Sequence, residues 1–400
     1  MTSKMLSEIT SVITKGTTPT SVGCSFSKNG INYIKSESIT SSRTLDKSKY
    51  AFISEETHQK LKRSQIKEND ILFSMAGMFL GKTGIVQADD VPANTNQAVA
   101  IIRIVPEQAN YLYVYYYLNQ KNIVTWINSL SGQSAQPNIN LKQIGEIEIP
   151  LPDRIIQDTI VEMLSAIDSR IELNTAINEN LEQQAQALFK AWFVDFEPFG
   201  GVMPDDWKII SLGKLCDSIS KKHKFNKDEL IFLNTGDVEN GMILHNNYSE
   251  VSQMPGQAKK SIAINDILYS EIRPINKHFA YVNFVADDYV VSTKLMVLRA
   301  KGISPRRLYQ FLTMPDTLKE LQVEAESRSG TFPQIRFDNI QQLEMIVASE
   351  QVEKEYSERL NTIYSMIDTN NSENKRLSAL RDTLLPKLMN GEIDVSAVKI

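Results

Sequence analysis

The chain contains 400 residues, 42% of them hydrophobic and 23% charged, and its formal net charge is −5 at pH 7. This length exceeds one ordinary core and predicts at least two domains, while the composition excludes a fibrous or intrinsically disordered chain. The first residues lack the apolar centre of a secretion signal, and no apolar run reaches the roughly 18 residues of a membrane span, so we expect a cytoplasmic protein.

The first predicted globular region covers residues 1–150. Short apolar runs such as INYI, DILFSM and AVAIIRIV alternate with polar loops, and a helical pattern covers residues 109–128. This alternation predicts an α+β fold. The loops are rich in Ser, Thr, Asn, Gln and Lys, which can bond base edges and phosphates but are equally common in solvated loops. Loop composition alone therefore leaves the function of this region open.

A long helix is predicted next, because apolar residues recur at alternating steps of four and three. The seam positions are Ile160, Leu164, Ile167, Ile171, Leu181, Ala185, Leu188 and Trp192. Such a heptad pattern is typical of a helix that packs along another helix. About 40 residues at 1.5 Å each give a helix of roughly 60 Å, which suits a spacer. The segment 151–205 is also acidic, with 10 acidic and 3 basic side chains.

The second half of the chain repeats the first at an offset of 196 residues. IKENDILFS at Ile66–Ser74 aligns with IAINDILYS at Ile262–Ser270, and Arg103 aligns with Arg299. The heptad seam also recurs, at Tyr356, Leu360, Ile363, Ile367, Leu377, Arg381, Leu384 and Leu388. A single long repeat predicts two homologous halves. We therefore predict domains at 1–152 and 206–347, each followed by a long helical segment, at 153–205 and 348–400.

Two asparagines interrupt the middle of each seam: Asn174 and Asn178 in the first, Asn370 and Asn374 in the second. In an antiparallel pair the middles of the two helices face each other, so the four amides can pair, and a shifted register would bury some of them unpaired. We therefore predict an antiparallel coiled coil and a pseudo-two-fold duplication. The alternative is that these are surface asparagines on unrelated helices.

No enzyme motif is convincing. AGMFLGKTG at Ala76–Gly84 approaches a phosphate-binding loop but is one residue short and is not followed by a helical pattern. The paired acids Asp89 and Asp90, and Asp287 and Asp288, are explained more simply by turns than by catalysis. The two cysteines and four histidines show no metal-binding spacing. No catalytic, metal or cofactor site is predicted.

Several segments resemble one family. LFKAWFVDFEPF at Leu188–Phe199 and LLPKLMNGEIDV at Leu384–Val395 resemble the helix ends of type I restriction–modification specificity (S, or HsdS) subunits, and Ser131–Pro152 resembles the stretch that closes their recognition domains. The resemblance implies a non-catalytic DNA-binding subunit with two target-recognition domains, each reading half of an interrupted site in double-stranded DNA. It also implies that the helices dock two methyltransferase (M) subunits, through which restriction (R) subunits join.

The resemblance also suggests candidate residues. DNA contacts in the first domain are expected at Lys15, Thr17, Lys35, Ser36, Arg43, Lys82, Asn96, Gln133 and Gln136. In the second domain they are expected at Lys221, Lys222, Lys224, Arg273, Lys277, Lys294, Arg328 and Arg336. Candidates for methyltransferase docking are the aromatic residues Trp192, Phe193 and Phe196. The second half departs from the closing motif, which leaves Gln334 an uncertain equivalent of Gln136.

Two other classes of protein remain open at this stage. A coiled-coil adaptor that joins proteins and never touches DNA would explain the helices but not the duplicated domains with their polar loops. An enzyme that recognises and modifies DNA in one chain would need a cofactor site that the sequence does not display. Salt-sensitive DNA binding would exclude the adaptor. Stoichiometric binding of a methyl donor by the isolated chain would support the single-chain enzyme.

Overall fold

The computed structural model describes residues 2–40, 42–77, 80–130, 138–328, 333–396 and 398. The chain divides into two compact units. Unit 1 comprises Met1–Asn174 and Ser372–Ile400, and unit 2 comprises Thr175–Asn371. Each long helix thus contributes residues to both units, which differs from the predicted division into four segments; that division stays a prediction.

The elements that begin in unit 1 alternate short strands with helices. They are β1 (Thr2–Met5), β2 (Thr10–Lys15), β3 (Phe26–Ser27), β4 (Ile31–Ile34), β5 (Ala51–Ile53), α1 (Glu55–Lys60), β6 (Gln65–Ile66), β7 (Ile71–Ser74), β8 (Thr83–Ile85), β9 (Ala93–Thr95), β10 (Val99–Ile104), α2 (Tyr111–Leu118), α3 (Lys121–Leu130), α4 (Leu141–Gly145), β11 (Glu148–Leu151) and α5 (Arg154–Phe193).

Unit 1 is built in layers around an antiparallel sheet with the strand order β2-β10-β7-β8. A second sheet has the order β3-β5-β4-β9-β6, in which β4 and β9 are parallel. The central strand β7 is buried at every position because both of its faces are covered. Phe73 packs into the core that includes the helices, and Leu72 packs into the core between the sheets.

The remaining elements follow a similar order, but among the described residues a hairpin is added and strand β3 and helix α1 have no counterpart. They are β12 (Lys208–Ser211), β13 (Cys216–Ser218), β14 (Glu229–Leu233), β15 (Val238–Glu239), β16 (Met242–Ile243), β17 (Tyr248–Glu250), β18 (Ala258–Ser261), β19 (Ile267–Ser270), β20 (Phe279–Tyr281), β21 (Tyr289–Ser292), β22 (Leu295–Ala300), α6 (Pro305–Thr313), α7 (Pro315–Arg328), α8 (Phe337–Ile340), β23 (Glu344–Val347) and α9 (Glu350–Met389).

Unit 2 repeats the first sheet of unit 1 in the order β13-β22-β19-β20. It repeats the second without the edge strand β3, in the order β17-β14-β21-β18, again with one parallel pair, β14 and β21. Even the register is kept. Ala100 pairs with Phe73 in unit 1, and Met296 pairs with Tyr269 in unit 2, each 196 residues later. The predicted α+β class and the duplication are confirmed.

A buried ion pair is duplicated as well. The guanidinium of Arg103 donates to Asp70 at 2.7 and 2.6 Å, and that of Arg299 donates to Asp266 at 2.7 and 2.9 Å. Both aspartates are fully buried, where a charge requires a partner. Each fixes the turn that leads into the central strand, β7 or β19, against its neighbour β10 or β22.

The long helices α5 and α9 pack antiparallel within each unit. In unit 1 the side chain of Arg170 pairs with Glu373 at 3.0 Å. In unit 2, towards the opposite helix ends, the rings of Trp192 and Tyr356 lie 5.4 Å apart. Residue numbers therefore rise along α5 as they fall along α9. Most of the predicted seam positions are buried or half-buried, as a packed seam requires.

Candidate nucleic-acid interface

One end of the central sheet of unit 1 gathers several of the predicted residues. β2 ends at Lys15, whose strand partner is Ala100, and β7 ends at Ser74, whose partner is Val99. Because neighbouring strands run antiparallel, the loops after β2 and β7 and the loop before β10 meet at this same end. This sheet end is the candidate site of unit 1.

The first of two adjoining grooves at this end has a volume of about 510 Å³. It is lined by Lys15, Met75, Ala76, Gln97, Ala98, Asn138, Ile139, Asn140, Leu141 and Lys142. None of these described lining residues is acidic. Lysines can neutralise phosphates, and amide side chains can bond adenine edges bidentately.

The second groove, of about 460 Å³, shares Lys15 and Gln97 with the first. It is otherwise lined by Gly16, Thr17, Thr18, Thr20, Ser21 and Arg63. A Cβ atom at Gly16 would lie 2.1 Å from the carbonyl oxygen of Thr95, so only glycine permits this approach of the loop to β9. Arg63 contacts the hydroxyl of Thr17 at 3.5 Å. This groove therefore combines a guanidinium, an ammonium and hydroxyl groups.

Unit 2 has the same backbone arrangement at the same sheet end. In unit 1 the amide of Met75 donates to the carbonyl of Ala98 at 2.8 Å, and in unit 2 the amide of Glu271 donates to the carbonyl of Lys294 at 3.0 Å. The donor and the acceptor of the second bond each lie 196 residues after those of the first. Lys294, a predicted DNA contact, thus occupies the position that corresponds to the groove-lining Ala98. Its ammonium lies 3.6 Å from the Glu271 carboxylate.

A second bond pattern corrects the equivalence suggested for Gln334. An isolated β-bridge joins Ala76 to Asn138 in unit 1, and Ile272 to Gln334 in unit 2. Gln334 therefore corresponds to the groove-lining Asn138 rather than to Gln136. The sequence comparison missed this because the two closing motifs differ in composition just before the bridge.

Arg336 lies at the next groove position of unit 2. It precedes α8 as Asn140 precedes α4, and both are the capping residues of these short helices. The Asn140 side chain accepts the backbone amide of Gln143 at 2.9 Å, so its oxygen serves the helix end. The Arg336 side chain is exposed. The sheet end of unit 2 therefore carries arginine at the position where the groove of unit 1 has asparagine.

The loop after β13 carries the predicted residues Lys221, Lys222 and Lys224, all exposed. Between them His223 is buried, which lowers its pKa, and its Nδ1 accepts the amide of Phe225 at 3.1 Å. A neutral histidine thus holds this loop in shape. The arrangement presents three ammonium groups to solvent at the same sheet end.

One predicted DNA contact of unit 1, Arg43, lies against the long helix α5. The guanidinium of Arg43 donates to Glu172 on α5 at 2.8 Å, and the side chain is 14% exposed. Burial alone would lower the pKa of Arg43, but the hydrogen bond and charge of Glu172 raise it above its ordinary value. Arg43 therefore ties the loop before β5 to the long helix, and its role as a DNA contact stays a prediction.

Other predicted residues of unit 1 lie outside the two grooves. Lys35 pairs with Glu37 at 3.2 Å, and Ser36 begins a short 3-10 turn. Asn96 accepts the amide of Ala98 at 3.1 Å, which shapes the loop before β10. Lys82 is half-buried and directly precedes strand β8. A phosphate-binding loop would be followed by a helix at this point, and here a strand follows.

Some predictions fall partly or wholly outside the described structure. Gln133 and Gln136 lie outside the described residues, and of Arg328 only the backbone, at the end of α7, is described. Arg273 and Lys277 are exposed at the turn between β19 and β20.

The four seam asparagines lie where the antiparallel pairing predicts. Asn174 donates to Asn374 at 2.9 Å in unit 1, and Asn370 donates to Asn178 at 2.8 Å in unit 2. Two residues that the sequence analysis missed join this polar layer. Asn178 donates to Asn371 at 2.9 Å, and Asn174 donates to Glu373 at 2.8 Å.

The aromatic residues expected to dock a partner require a correction. Trp192 and Phe193 are 7% and 3% exposed and belong to the core of unit 2. The Phe193 ring lies 5.4 Å from Trp207 and 4.8 Å from Tyr356. The helix end is aromatic because it anchors α5 in this core. Phe196 is half-buried against the same cluster and remains a candidate.

Among the described residues, no group of three or more His, Cys, Asp or Glu side chains could hold a metal ion. None of the helices in the described ranges is both long and apolar enough to cross a membrane.

Two copies of one α+β fold, each with polar and basic side chains at the same sheet end, define a protein with an internal duplication. The chain belongs to a known family: the family model described as type I restriction modification DNA specificity domain matches residues 1–183 and 204–379.

Known members of the family align over different lengths. The specificity subunit of the type I restriction enzyme HindI from Haemophilus influenzae is 40% identical over 182 residues, which is 45% of this chain and 40% of that subunit. The MjaIX specificity subunit from Methanocaldococcus jannaschii is 24% identical over 332 residues, covering 78% of this chain and 76% of that one. The chain therefore spans less than half of the HindI subunit and about three quarters of the MjaIX subunit.

Among solved structures, the S subunit of a type I restriction–modification system from M. genitalium matches 97% of this chain and 95% of its own, with a TM-score of 0.58 and 16% sequence identity. At this identity the likeness shows a common fold.

Proposed function

We propose that the chain is the non-catalytic DNA-specificity subunit of a type I restriction–modification complex. Each unit reads one half of an interrupted site in double-stranded DNA. The long helices dock two methyltransferase subunits and set the length of the unread gap, and restriction subunits join through the methyltransferase core. The observation that carries the proposal is the duplicated sheet end, where basic and amide side chains occupy matching positions in both units.

The chemistry at these positions suits the two tasks of a DNA reader. Gln97 and Asn138 in unit 1, and Gln334 and Arg336 in unit 2, present amide and guanidinium groups that match adenine and guanine edges. Lys15 and Lys142 in unit 1 suit phosphates, which fix position without reading sequence. Different side chains at equivalent positions are expected if the two halves of the site differ.

The proposal is tested by mapping methylated bases across a genome in cells that express the methyltransferase with and without this chain. We expect a two-part motif with an unread gap that appears only when the chain is present. If the complex assembles and methylates but no motif depends on the chain, the chain is an adaptor. Stoichiometric binding of a methyl donor by the isolated chain would instead indicate a single-chain modifying enzyme.

The docking surface is proposed on exposed apolar residues of the long helices, since Trp192 and Phe193 are buried. Ile155 is 80% exposed, and Leu173 and Leu380 are about half exposed. We propose that these exposed apolar side chains contribute to the surface that the methyltransferase subunits cover.

Replacing Lys15 by glutamine tests the groove of unit 1. If Lys15 neutralises one phosphate, we expect binding to weaken about fivefold at 0.15 M salt and the slope of log K against log salt to fall by about 0.9, with the motif unchanged. Anisotropy titrations of the assembled complex at several salt concentrations measure this. Lys4→Gln is the matched control, because Lys4 lies on β1, where its ammonium donates to Gln108 at 2.8 Å. An unchanged salt slope for Lys15→Gln would place the DNA elsewhere.

A further inference from the structure

The turn between β19 and β20 of unit 2 has an unusual backbone. Arg273 has φ 44° and Lys277 has φ 57°, on either side of a short 3-10 turn at Pro274–Asn276. Residues with a Cβ atom rarely adopt this left-handed conformation, because the Cβ crowds the backbone. A following proline restricts Arg273 further, since it favours extended backbone at the preceding residue. The turn therefore holds two cationic residues in strained conformations.

Unit 1 shows the relaxed alternative at the same two positions. Gly77 and Gly81, 196 residues earlier, have φ 71° and 82°. Glycine adopts this conformation without steric penalty. The two positions therefore have left-handed backbone in both units, but only in unit 2 do they carry side chains. Strain that persists where glycine would fit points to a use for the side chains.

Three other segments fix this turn. The amide of Arg273 donates to the carbonyl of Pro333 at 3.2 Å, and that of Ile275 donates to the Gln322 side chain at 3.3 Å. From the third side, the carbonyl of Lys277 accepts the amide of Asn240 at 2.7 Å. The backbone is therefore held in place while the two cationic side chains remain exposed.

The charges at this turn are not neutralised locally. Among the described residues, neither Arg273 nor Lys277 forms an ion pair. Burial raises the pKa of Glu182, and the charge of Lys277 partly offsets that rise, but the two side chains are not paired. Two cations on a fixed turn, beside the proposed groove, suit an anion that approaches from solvent.

We propose that Arg273 and Lys277 form a phosphate clamp in unit 2 that unit 1 lacks, so that the second half-site is held with a stronger dependence on salt than the first. The proposal rests on the proposed function, in which each unit binds one half-site. The clamp contacts the DNA backbone and so adds affinity without selecting bases.

The test is the double variant Arg273→Gly and Lys277→Gly in the complex with the methyltransferase. We measure anisotropy of a duplex that carries the mapped motif, over a series of salt concentrations. Loss of two phosphate contacts is expected to weaken binding about thirtyfold at 0.15 M salt and to lower the salt slope by about 1.8. The melting temperature is expected to stay equal or to rise, because glycine relieves the strain.

Two further variants make the result decisive. Asparagine tolerates the left-handed conformation, so Arg273→Asn with Lys277→Asn is expected to reproduce the loss of affinity if the glycine variant unfolds. Lys301→Ala is the control, because Lys301 follows β22, about 20 Å along that strand from Lys294 at its other end. It is expected to change the salt slope by less than the double variant.

Unchanged affinity and salt slope in both double variants would overturn the clamp. So would a changed base preference at the second half-site, because it would mean that the turn reads sequence. Failure of the proposed function looks different: the unsubstituted complex would then show no preference for any two-part duplex.

Discussion

Truncating Phe193 to alanine is expected to lower the free energy of unfolding of unit 2 by about 3–5 kcal/mol, the usual cost of removing a large aromatic side chain from a core. Phe193 is almost fully buried, and its ring contacts Trp207, Tyr356 and the guanidinium of Arg307, whose carbon lies 3.8 Å from the ring centroid. Burial lowers the pKa of Arg307 to about 10, so loss of this ring also disturbs a cation that water does not reach.

Chemical denaturation followed by tryptophan fluorescence measures this effect, since Trp207 lies against the ring. Val194→Ala is the control: Val194 is the next residue but is 54% exposed, and its truncation is expected to change the free energy by no more than about 0.5 kcal/mol. If Phe193→Ala instead kept the unfolding midpoint and abolished binding of the methyltransferase, the original docking assignment would be correct after all.

Lengthening both long helices by one heptad is expected to lengthen the unread gap by about three base pairs. Seven helical residues add about 10.5 Å, and each base pair occupies about 3.4 Å. The insertions must preserve the seam. Copies of Leu181–Ala187 in α5, placed after Asn180, and of Thr362–Asp368 in α9, placed after Asp368, extend both helices on the same side of the asparagine layer.

Methylation mapping of the lengthened protein measures the gap directly. Because a heptad returns the apolar stripe to nearly the same face, the bases read in each half are expected to stay the same. Inserting the heptad in α5 alone shifts one seam against the other, and we expect it to abolish specific methylation. A gap that stays the same in the doubly lengthened protein would refute the idea that the helices set it.

The fold was predictable in outline because its signals are local and repeated. The segment around Asp70 recurs around Asp266, and the heptad steps recur with the same spacing. The asparagine pairing also followed from symmetry alone. The pattern could not predict which other side chains lie near the four asparagines in space. Glu373 and Asn371 are next to predicted asparagines in the sequence, but only the packing of the helices directs them towards the polar layer.

The binding site was predictable only in part, since it is assembled from distant segments. Lys15 was among the predicted DNA contacts, but Arg63, Gln97, Asn138 and Lys142 were not. The basic run KLKR at Lys60–Arg63 and the amide-rich run NTNQ at Asn94–Gln97 were available signals. The pairing of Arg43 was missed for the same reason: composition marks a cation but does not reveal that Glu172 on a helix lies within its reach.

The sharing of helices between the units bears on how the protein is made. The core of unit 1 includes Leu385, Leu388 and Met389 of α9, although most of that unit is synthesised first. A ribosome adds roughly 5–20 residues per second, so the N-terminal segment of unit 1 waits some 10 to 45 seconds for the last helix of that unit. During that interval the apolar surface of unit 1 that α9 will cover is exposed. Strand β19, whose sequence ILYS nearly repeats the ILFS of β7, is synthesised in the same interval. Unit 2 is one continuous stretch of chain, so all of its core segments are synthesised before the last segment of unit 1. The N-terminal unit is therefore the last to be completed.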